Sequence, residues 1–138
     1  MKKHNKMGKI NKRTAIKEVE DWISSLNIRP HKLDKLKDHK EDVINMLCYG
    51  IIEFDGKDVV YYLEEPFADG TSKIKIVAKR YTVEQVNAMS KEFTGEQIEK
   101  QLGIIGMMCE PVQAVDDMMT LQEGFMDLNN ICAFFLPV

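Results

Sequence analysis

Histidine and cysteine are the side chains of this sequence that could form a nucleophile and its base. The cysteines are Cys48, Cys109 and Cys132, and the histidines are His4, His31 and His39. A catalytic thiol needs an imidazole within hydrogen-bonding distance. All three histidines lie in the basic N-terminal section, whereas two of the cysteines lie in the acidic last third of the chain. The pattern therefore argues against a nucleophilic Cys-His site. The odd number and wide spacing of the cysteines also argue against a disulfide framework.

Metal binding and acid-base catalysis are the other chemistries to consider. His31 and His39 are separated by close to two helical turns, so one helix face could present both, with Cys48 as a third ligand. Solvated histidines on a charged helix explain the same spacing better. Adjacent carboxylates such as Asp116 and Asp117 do not face each other on a helix, so they are not a general acid and base pair. We expect a protein that is not an enzyme and that binds neither a metal ion nor a cofactor.

Charge divides the chain into two parts. Residues 1–40 carry 12 Lys or Arg against 5 Asp or Glu, whereas residues 41–138 carry 7 against 17, within a total net charge of −3. A basic first part favours contact with nucleic acid, and an acidic remainder opposes it. No apolar run approaches the roughly 18 residues that a membrane span needs. We expect a cytoplasmic protein with no membrane partner.

The acidic C-terminal segment is unusually rich in methionine. Five of the nine methionines lie after Gln101, where no Lys or Arg occurs. Flexible, polarisable Met side chains suit a surface that adapts to varied apolar partners, although for any single Met a place in the core is about twice as common. The side chains of helical neighbours point about 100° apart. The two members of each adjacent pair, 107/108 and 118/119, therefore cannot both face one narrow buried stripe. The predicted partner-binding residues are Met107, Met108, Met118, Met119, Phe125 and Met126.

The residues around Asp55 and Gly56 predict a β-hairpin. Two runs rich in β-branched and aromatic residues flank a pair that tolerates the positive φ of a tight turn. A third strand with a partly polar face is predicted after the turn at residues 69–71, where Ile74, Ile76 and Ala78 alternate with Lys75, Val77 and Lys79. Together these segments predict a small three-stranded antiparallel sheet, because an isolated hairpin is marginal in water.

The rest of the chain is predicted to be helical. Apolar residues at three- and four-residue spacing predict helices over residues 14–27 and 30–50, with Pro30 at the start and Gly50 at the end of the second. Residues 1–13 read as a basic disordered arm. Capping-box spacing predicts three further helix starts: Thr82 with Gln85, Thr94 with Gln97, and Thr120 with Glu123.

The predicted fold class is α+β. It comprises two N-terminal helices, a small three-stranded antiparallel sheet, and a C-terminal bundle of three or four helices. The predicted organisation is a disordered arm over residues 1–13, a helical N-terminal extension over 14–50, and a hairpin plus helical domain over 51–138.

Residues 51–138 resemble a known family. The segments that carry the likeness are Phe54-Asp-Gly-Lys57, Leu63-Glu-Glu-Pro66, Met108-Cys-Glu-Pro-Val112, Val115-Asp-Asp-Met-Met-Thr120, Phe125-Met-Asp-Leu128 and Phe134-Phe-Leu-Pro137. In this order they are similar to the tail assembly chaperones of tailed bacteriophages, in which a β-hairpin precedes a helical half. One departure is Glu64, which stands where that family usually has arginine.

The resemblance implies a non-enzymatic protein of the infected cell's cytoplasm that is not part of the mature virion. Its implied partners are the long, helical tape measure protein, which it keeps soluble, and the tail tube protein, which it helps to recruit. A longer product made from the same gene by ribosomal frameshifting is also implied.

Two other functions remain open from the residues alone. The first is a small nucleic-acid-binding phage regulator, with a helix-turn-helix in the N-terminal helices and a phosphate-binding arm; the cations of that arm are Lys2, Lys3, Lys6, Lys9, Lys12 and Arg13. The second is a virion component whose hairpin adds to a neighbour's sheet. An exposed hairpin edge is also compatible with self-association.

Overall fold

The computed structural model describes residues 10–137, and within them the chain is α+β. The N-terminal helices are α1 (Lys12–Ser25), α2 (Pro30–Lys35) and α3 (Lys37–Cys48). The strands are β1 (Ile52–Asp55), β2 (Asp58–Tyr62) and β3 (Lys73–Ile76). The C-terminal helices are α4 (Val83–Ser90), α5 (Gln97–Met107), α6 (Val115–Met118) and α7 (Gly124–Cys132). The predicted fold class is therefore confirmed.

Strands β1 and β2 form the predicted hairpin. Asp55 pairs with Asp58, so the two residues of the turn are Gly56 and Lys57 and not Asp55 and Gly56. Gly56 has φ of +64°, which a side chain would oppose. The register aligns Ile52 with Tyr61, and both side chains lie on the buried face of the sheet.

Strand β3 completes an antiparallel sheet in the order β1-β2-β3. It ends at Ile76, three residues before the predicted end at Lys79. The chain beyond α5 returns along its outer edge: Cys109 forms a bridge with Ile76, and the amide of Glu110 donates to the carbonyl of Lys75 at 2.9 Å. These bonds cover the edge of β3 on which a strand from a neighbouring molecule would otherwise add.

Helix α1 begins two residues earlier than predicted. Oδ1 of Asn11 accepts a 2.8 Å hydrogen bond from the amide of Thr14, which makes Asn11 the N-cap. Lys12 and Arg13 are therefore helical, and the prediction that the disordered arm reaches Arg13 is wrong for residues 10–13. The part of that arm formed by residues 1–9, with Lys2, Lys3, Lys6 and Lys9, lies outside the described residues.

The single helix predicted over residues 30–50 is divided at Leu36. This residue has φ of −96° and ψ of 9°, and it closes α2 and opens α3. Its side chain is buried in the core. The break lets Leu36 pack inward between two short helices whose other faces are charged.

One of the three predicted capping boxes forms. Thr82 and Gln85 exchange side-chain and backbone hydrogen bonds at the start of α4. Helix α5 begins after Glu96 without a side-chain cap, so the box predicted at Thr94 is wrong. Thr120 instead donates to the carbonyl of Asp117 at 2.6 Å and so closes α6, while α7 starts four residues later.

One hydrophobic core joins the N-terminal helices to the rest of the described chain. Trp22 of α1 stacks on Phe54 of β1 with ring centroids 4.9 Å apart, and it meets Phe134 and Phe135 edge to face. The Trp22 indole also donates to the carbonyl of Lys57 at 2.8 Å. Residues 14–50 are thus packed into the same core as the sheet and α7. No helix within residues 10–137 is long and apolar enough to cross a membrane.

Candidate binding sites

The six predicted partner-binding residues do not form one surface. Met108 and Met118 are 1% and 0% exposed, so neither can belong to an exposed surface in this conformation. Met119 and Met126 are 45% and 61% exposed. In the pair 118 and 119 one side chain is therefore buried and the other is exposed, as the angle between helical neighbours requires. The side chains of Met107 and Phe125 are partly exposed.

Met126 lies in a groove between α3 and α7. The groove has a volume of about 390 Å³. Its apolar wall contains Met126, Met46, Ile51 and Tyr49, and Tyr49 is 53% exposed. Its carboxylates are Asp42 and Asp127. We call this set of residues the acidic groove. Sequence analysis found Met126 but missed Tyr49, because Tyr49 follows α3 and approaches α7 only in the folded chain.

A hydrogen-bonded tyrosine fixes one wall of the acidic groove. The Tyr61 hydroxyl donates to Oδ2 of Asp127 at 2.7 Å. Burial raises the pKa of Asp127 above its ordinary value, the Tyr61 hydrogen bond opposes this shift, and the charges of Glu64, Glu123 and Asp42 add to it. Burial, followed by the hydrogen bond to Asp127, also raises the pKa of Tyr61. The pair therefore joins β2 to α7.

Glu64 supports the start of α7. Its Oε1 accepts a 3.1 Å hydrogen bond from the amide of Gly124, the first residue of that helix. A carboxylate is favoured at a helix N-terminus, where backbone amides lack partners. Glu64 therefore has a structural role here that an arginine at the same position would not fill.

A second, larger cavity lies on another part of the molecule. It has a volume of about 510 Å³ and is formed by α2 with the turn before it, by residues 78–83, and by residues 134–137. Its cationic residues are Arg29, Lys32, Lys35, Lys79 and Arg80, and no Asp or Glu lines it. Leu26, Ile28 and Leu136 contribute apolar surface. We call this the basic cavity. Sequence analysis did not find it.

Backbone carbonyls hold two of these cations in place. Nζ of Lys32 donates to the carbonyl of Leu136 at 2.8 Å, and Nη2 of Arg80 donates to the carbonyl of Asn27 at 2.7 Å. Burial, with a further contribution from the charge of Arg80, lowers the pKa of Lys32. The basic cavity is thus anchored between segments that are far apart in sequence.

The cysteines and histidines are not brought together as a nucleophilic pair in the described chain. Cys109 is buried, and desolvation raises the pKa of its thiol to about 12. Burial also raises the pKa of Cys132. Both thiols are therefore protonated at neutral pH. Nδ1 of His39 lies 2.7 Å from Oδ1 of Asn130, and His31 lines the basic cavity.

The alternative ligand set of His31, His39 and Cys48, which the sequence did not favour, is not assembled. Within residues 10–137, no three His, Cys, Asp or Glu side chains are arranged to hold a metal ion. Sγ of the partly buried Cys48 donates instead to the carbonyl of Ile10 at 3.2 Å.

Ion pairs between α1 and α3 bear on the predicted helix-turn-helix. Nζ of Lys12 lies 2.8 Å from Oε2 of Glu41. Nζ of Lys40 lies 3.2 Å from Oε2 of Glu20. Carboxylates thus accompany the cations of both helices. A phosphate-binding face would need a stripe of cations without such neighbours.

Comparison of this chain with known protein families, with curated proteins and with solved structures finds no match.

Proposed function

We propose that this chain is a tail assembly chaperone of a tailed bacteriophage, which binds apolar helical segments of the tape measure protein and helps to recruit tail tube subunits. The observation that carries the proposal is the exposure of Met126 beside Tyr49 in the acidic groove. The family likeness of residues 51–138 motivates the choice of partner.

A groove between two helices suits a helical ligand. An amphipathic helix binds by placing its apolar side chains in such a groove. Met126 can adjust to different apolar side chains because its thioether chain is unbranched and flexible. This is the property required of a protein that binds many segments of one long partner.

The surrounding carboxylates serve two purposes. Asp42 and Asp127 line the same groove, so charge accompanies its apolar surface and favours solubility over aggregation. They also favour partner helices that carry Lys or Arg beside their apolar face. The expected mode of action is reversible binding without a chemical step.

Co-expression tests this function directly. The chain is co-expressed with the tape measure protein of the phage to which the proposal assigns it, and the soluble amount of that partner is measured by quantitative gel analysis. We expect wild type and Met126→Leu to keep the partner soluble, and Met126→Glu to lose this activity because a charge replaces the central apolar contact.

Met119→Glu is the matched control, because Met119 is exposed but does not line the acidic groove. It should solubilise the partner as wild type does, and circular dichroism checks that both Glu variants are folded. The proposal fails if the partner stays insoluble with wild type, or if the two Glu variants behave alike.

Analysis of purified virions by mass spectrometry distinguishes an assembly chaperone from a virion component. A chaperone that leaves the finished tail should be absent from these particles. Its recovery there in stoichiometric amounts would support the structural role instead.

A further inference from the structure

The basic cavity concentrates positive charge in a protein that is acidic overall. Five Lys or Arg residues line it, while the chain as a whole has a net charge of −3. Within the described part of the chain none of these five forms a salt bridge, although Lys12, Lys17, Lys37, Lys40 and Lys75 all do. Like charges gathered in one cavity without ion-pair partners repel one another. An anionic ligand would relieve that repulsion.

Apolar surface lies among these cations. Leu26, Ile28 and Leu136 are only partly buried and face the same space, so they remain available to a ligand. A volume of about 510 Å³ falls within the range of cavities that hold ligands. The cavity therefore combines apolar contacts for one or two bulky side chains with several donors for carboxylates.

We propose that the basic cavity binds an acidic peptide segment of a partner protein, in which one or two apolar side chains are flanked by Asp or Glu. The apolar side chains contact Leu26, Ile28 and Leu136, and the carboxylates pair with Arg29, Lys35 and Lys79. Charge complementarity selects this occupant. The bonds from Lys32 and Arg80 to backbone carbonyls hold the two sides of the cavity together.

The aromatic residues at the cavity favour a peptide over a nucleic acid. Sites for single-stranded nucleic acid commonly stack bases on exposed aromatic rings. Here the rings of Phe134 and Phe135 are buried against Trp22, with centroids 5.2 and 5.8 Å from it. The ring of Tyr81 is covered by Nζ of Lys79, 5.5 Å from its centroid. No Phe, Tyr or Trp ring is left to serve as a stacking platform within the basic cavity, where the one exposed ring is the imidazole of His31.

This inference is independent of the proposed function. No residue lines both the acidic groove and the basic cavity, and the two sites have opposite charge. The protein would then bind a basic apolar helix at one site and an acidic segment at the other. Substitutions at each site should leave the other unaffected.

Fluorescence anisotropy of a labelled peptide tests the proposal with the full chain. The probe is fluorescein-labelled Glu-Asp-Leu-Phe-Glu-Asp, with one comparison peptide in which lysines replace the acidic residues and another in which serines replace Leu-Phe. We expect the acidic apolar probe to bind, salt to weaken its binding, and both comparison peptides to bind at least about tenfold more weakly.

Charge reversal locates the site. Lys35→Glu with Lys79→Glu should weaken binding of the probe by about tenfold or more, because each change replaces an attraction with a repulsion. The matched control is Lys57→Glu with Lys91→Glu, which changes net charge equally at exposed positions outside the cavity. This control should bind the probe as wild type does, and circular dichroism verifies the fold of both double variants.

Three results would overturn the proposal. The first is absence of probe binding at low salt. The second is equal weakening by the two double variants, which would reveal attraction to overall charge and not to this cavity. The third is binding of a labelled oligothymidine that depends on Lys35 and Lys79 while the acidic peptide does not bind, which would assign the cavity to nucleic acid.

Discussion

The hydroxyl of Tyr61 and the carboxylate of Asp127 are joined by a 2.7 Å hydrogen bond that links strand β2 to helix α7. The carboxylate lies among Glu64, Glu123 and Asp42, and burial is the largest influence on its pKa. The same contact positions one wall of the acidic groove. Stability and the candidate site therefore share a residue whose charge depends on pH.

Replacement of Asp127 by Asn should make this dependence visible. Since the pKa of Asp127 is raised in the folded protein, its stabilising contribution is fully present below the ordinary pKa of 3.8 and is lost as the pH rises through the folded value. We expect the free energy of unfolding of wild type, relative to Asp127→Asn, to fall as pH increases. Urea denaturation from about pH 3 to about pH 7 measures this difference.

Asp116→Asn controls for removal of one negative charge, because Asp116 is an exposed carboxylate of α6. The free energy of unfolding of Asp116→Asn is measured by urea denaturation over the same pH range. A wild-type advantage over Asp127→Asn that grows as the pH rises would contradict the assigned direction of the pKa shift.

Trp22→Phe should destabilise the protein by about 1–3 kcal/mol. The substitution removes the indole hydrogen bond to the carbonyl of Lys57 and leaves part of the space between Phe54, Phe134 and Phe135 unfilled. Urea denaturation followed by circular dichroism gives the free energy of unfolding. Val83→Ala, at an exposed position of α4, should change it little. An unchanged midpoint in Trp22→Phe would mean that the contact between the N-terminal helix and the rest of the core is weak.

Local sequence signals predicted the elements whose interactions are local. The hairpin forms because Gly56 supplies its turn, and α4 starts at the capping box of Thr82 and Gln85. The same spacing failed at Thr120, since its hydroxyl closes the preceding helix α6. A capping pattern shows which hydrogen bonds a residue can make, and the packed chain determines which helix end receives them.

The candidate sites depended more on long-range packing. Helical geometry indicated that adjacent methionines would separate, but it did not show that Met118 would be the buried member and Met119 the exposed one. The basic cavity combines three segments that are distant in sequence, so no local pattern reveals it. In the sequence, three of its cations belong to a generally basic N-terminal region. The other two, Lys79 and Arg80, follow β3 and form no recognisable motif with them.

Gly106→Ala should destabilise the protein by about 1–3 kcal/mol, although alanine is the better helix former. A Cβ at this position in α5 would lie 2.5 Å from the carbonyl oxygen of Gln113, which belongs to the backbone. The amide of Gln113 also donates to the carbonyl of Gly106 at 3.0 Å, so the two segments cannot separate without losing a hydrogen bond. Urea denaturation measures the effect.

Gly103→Ala provides the matched comparison on the same helix. There the added Cβ would lie 2.6 Å from the ring of Phe93, a side chain that can rotate away, whereas the backbone at Gln113 is held by its hydrogen bond. Gly103→Ala should therefore cost less than Gly106→Ala. If the order of the two free energies is reversed, the close approach of α5 to the segment before α6 does not limit the residue at position 106, and the packing of Phe93 is the more rigid of the two contacts.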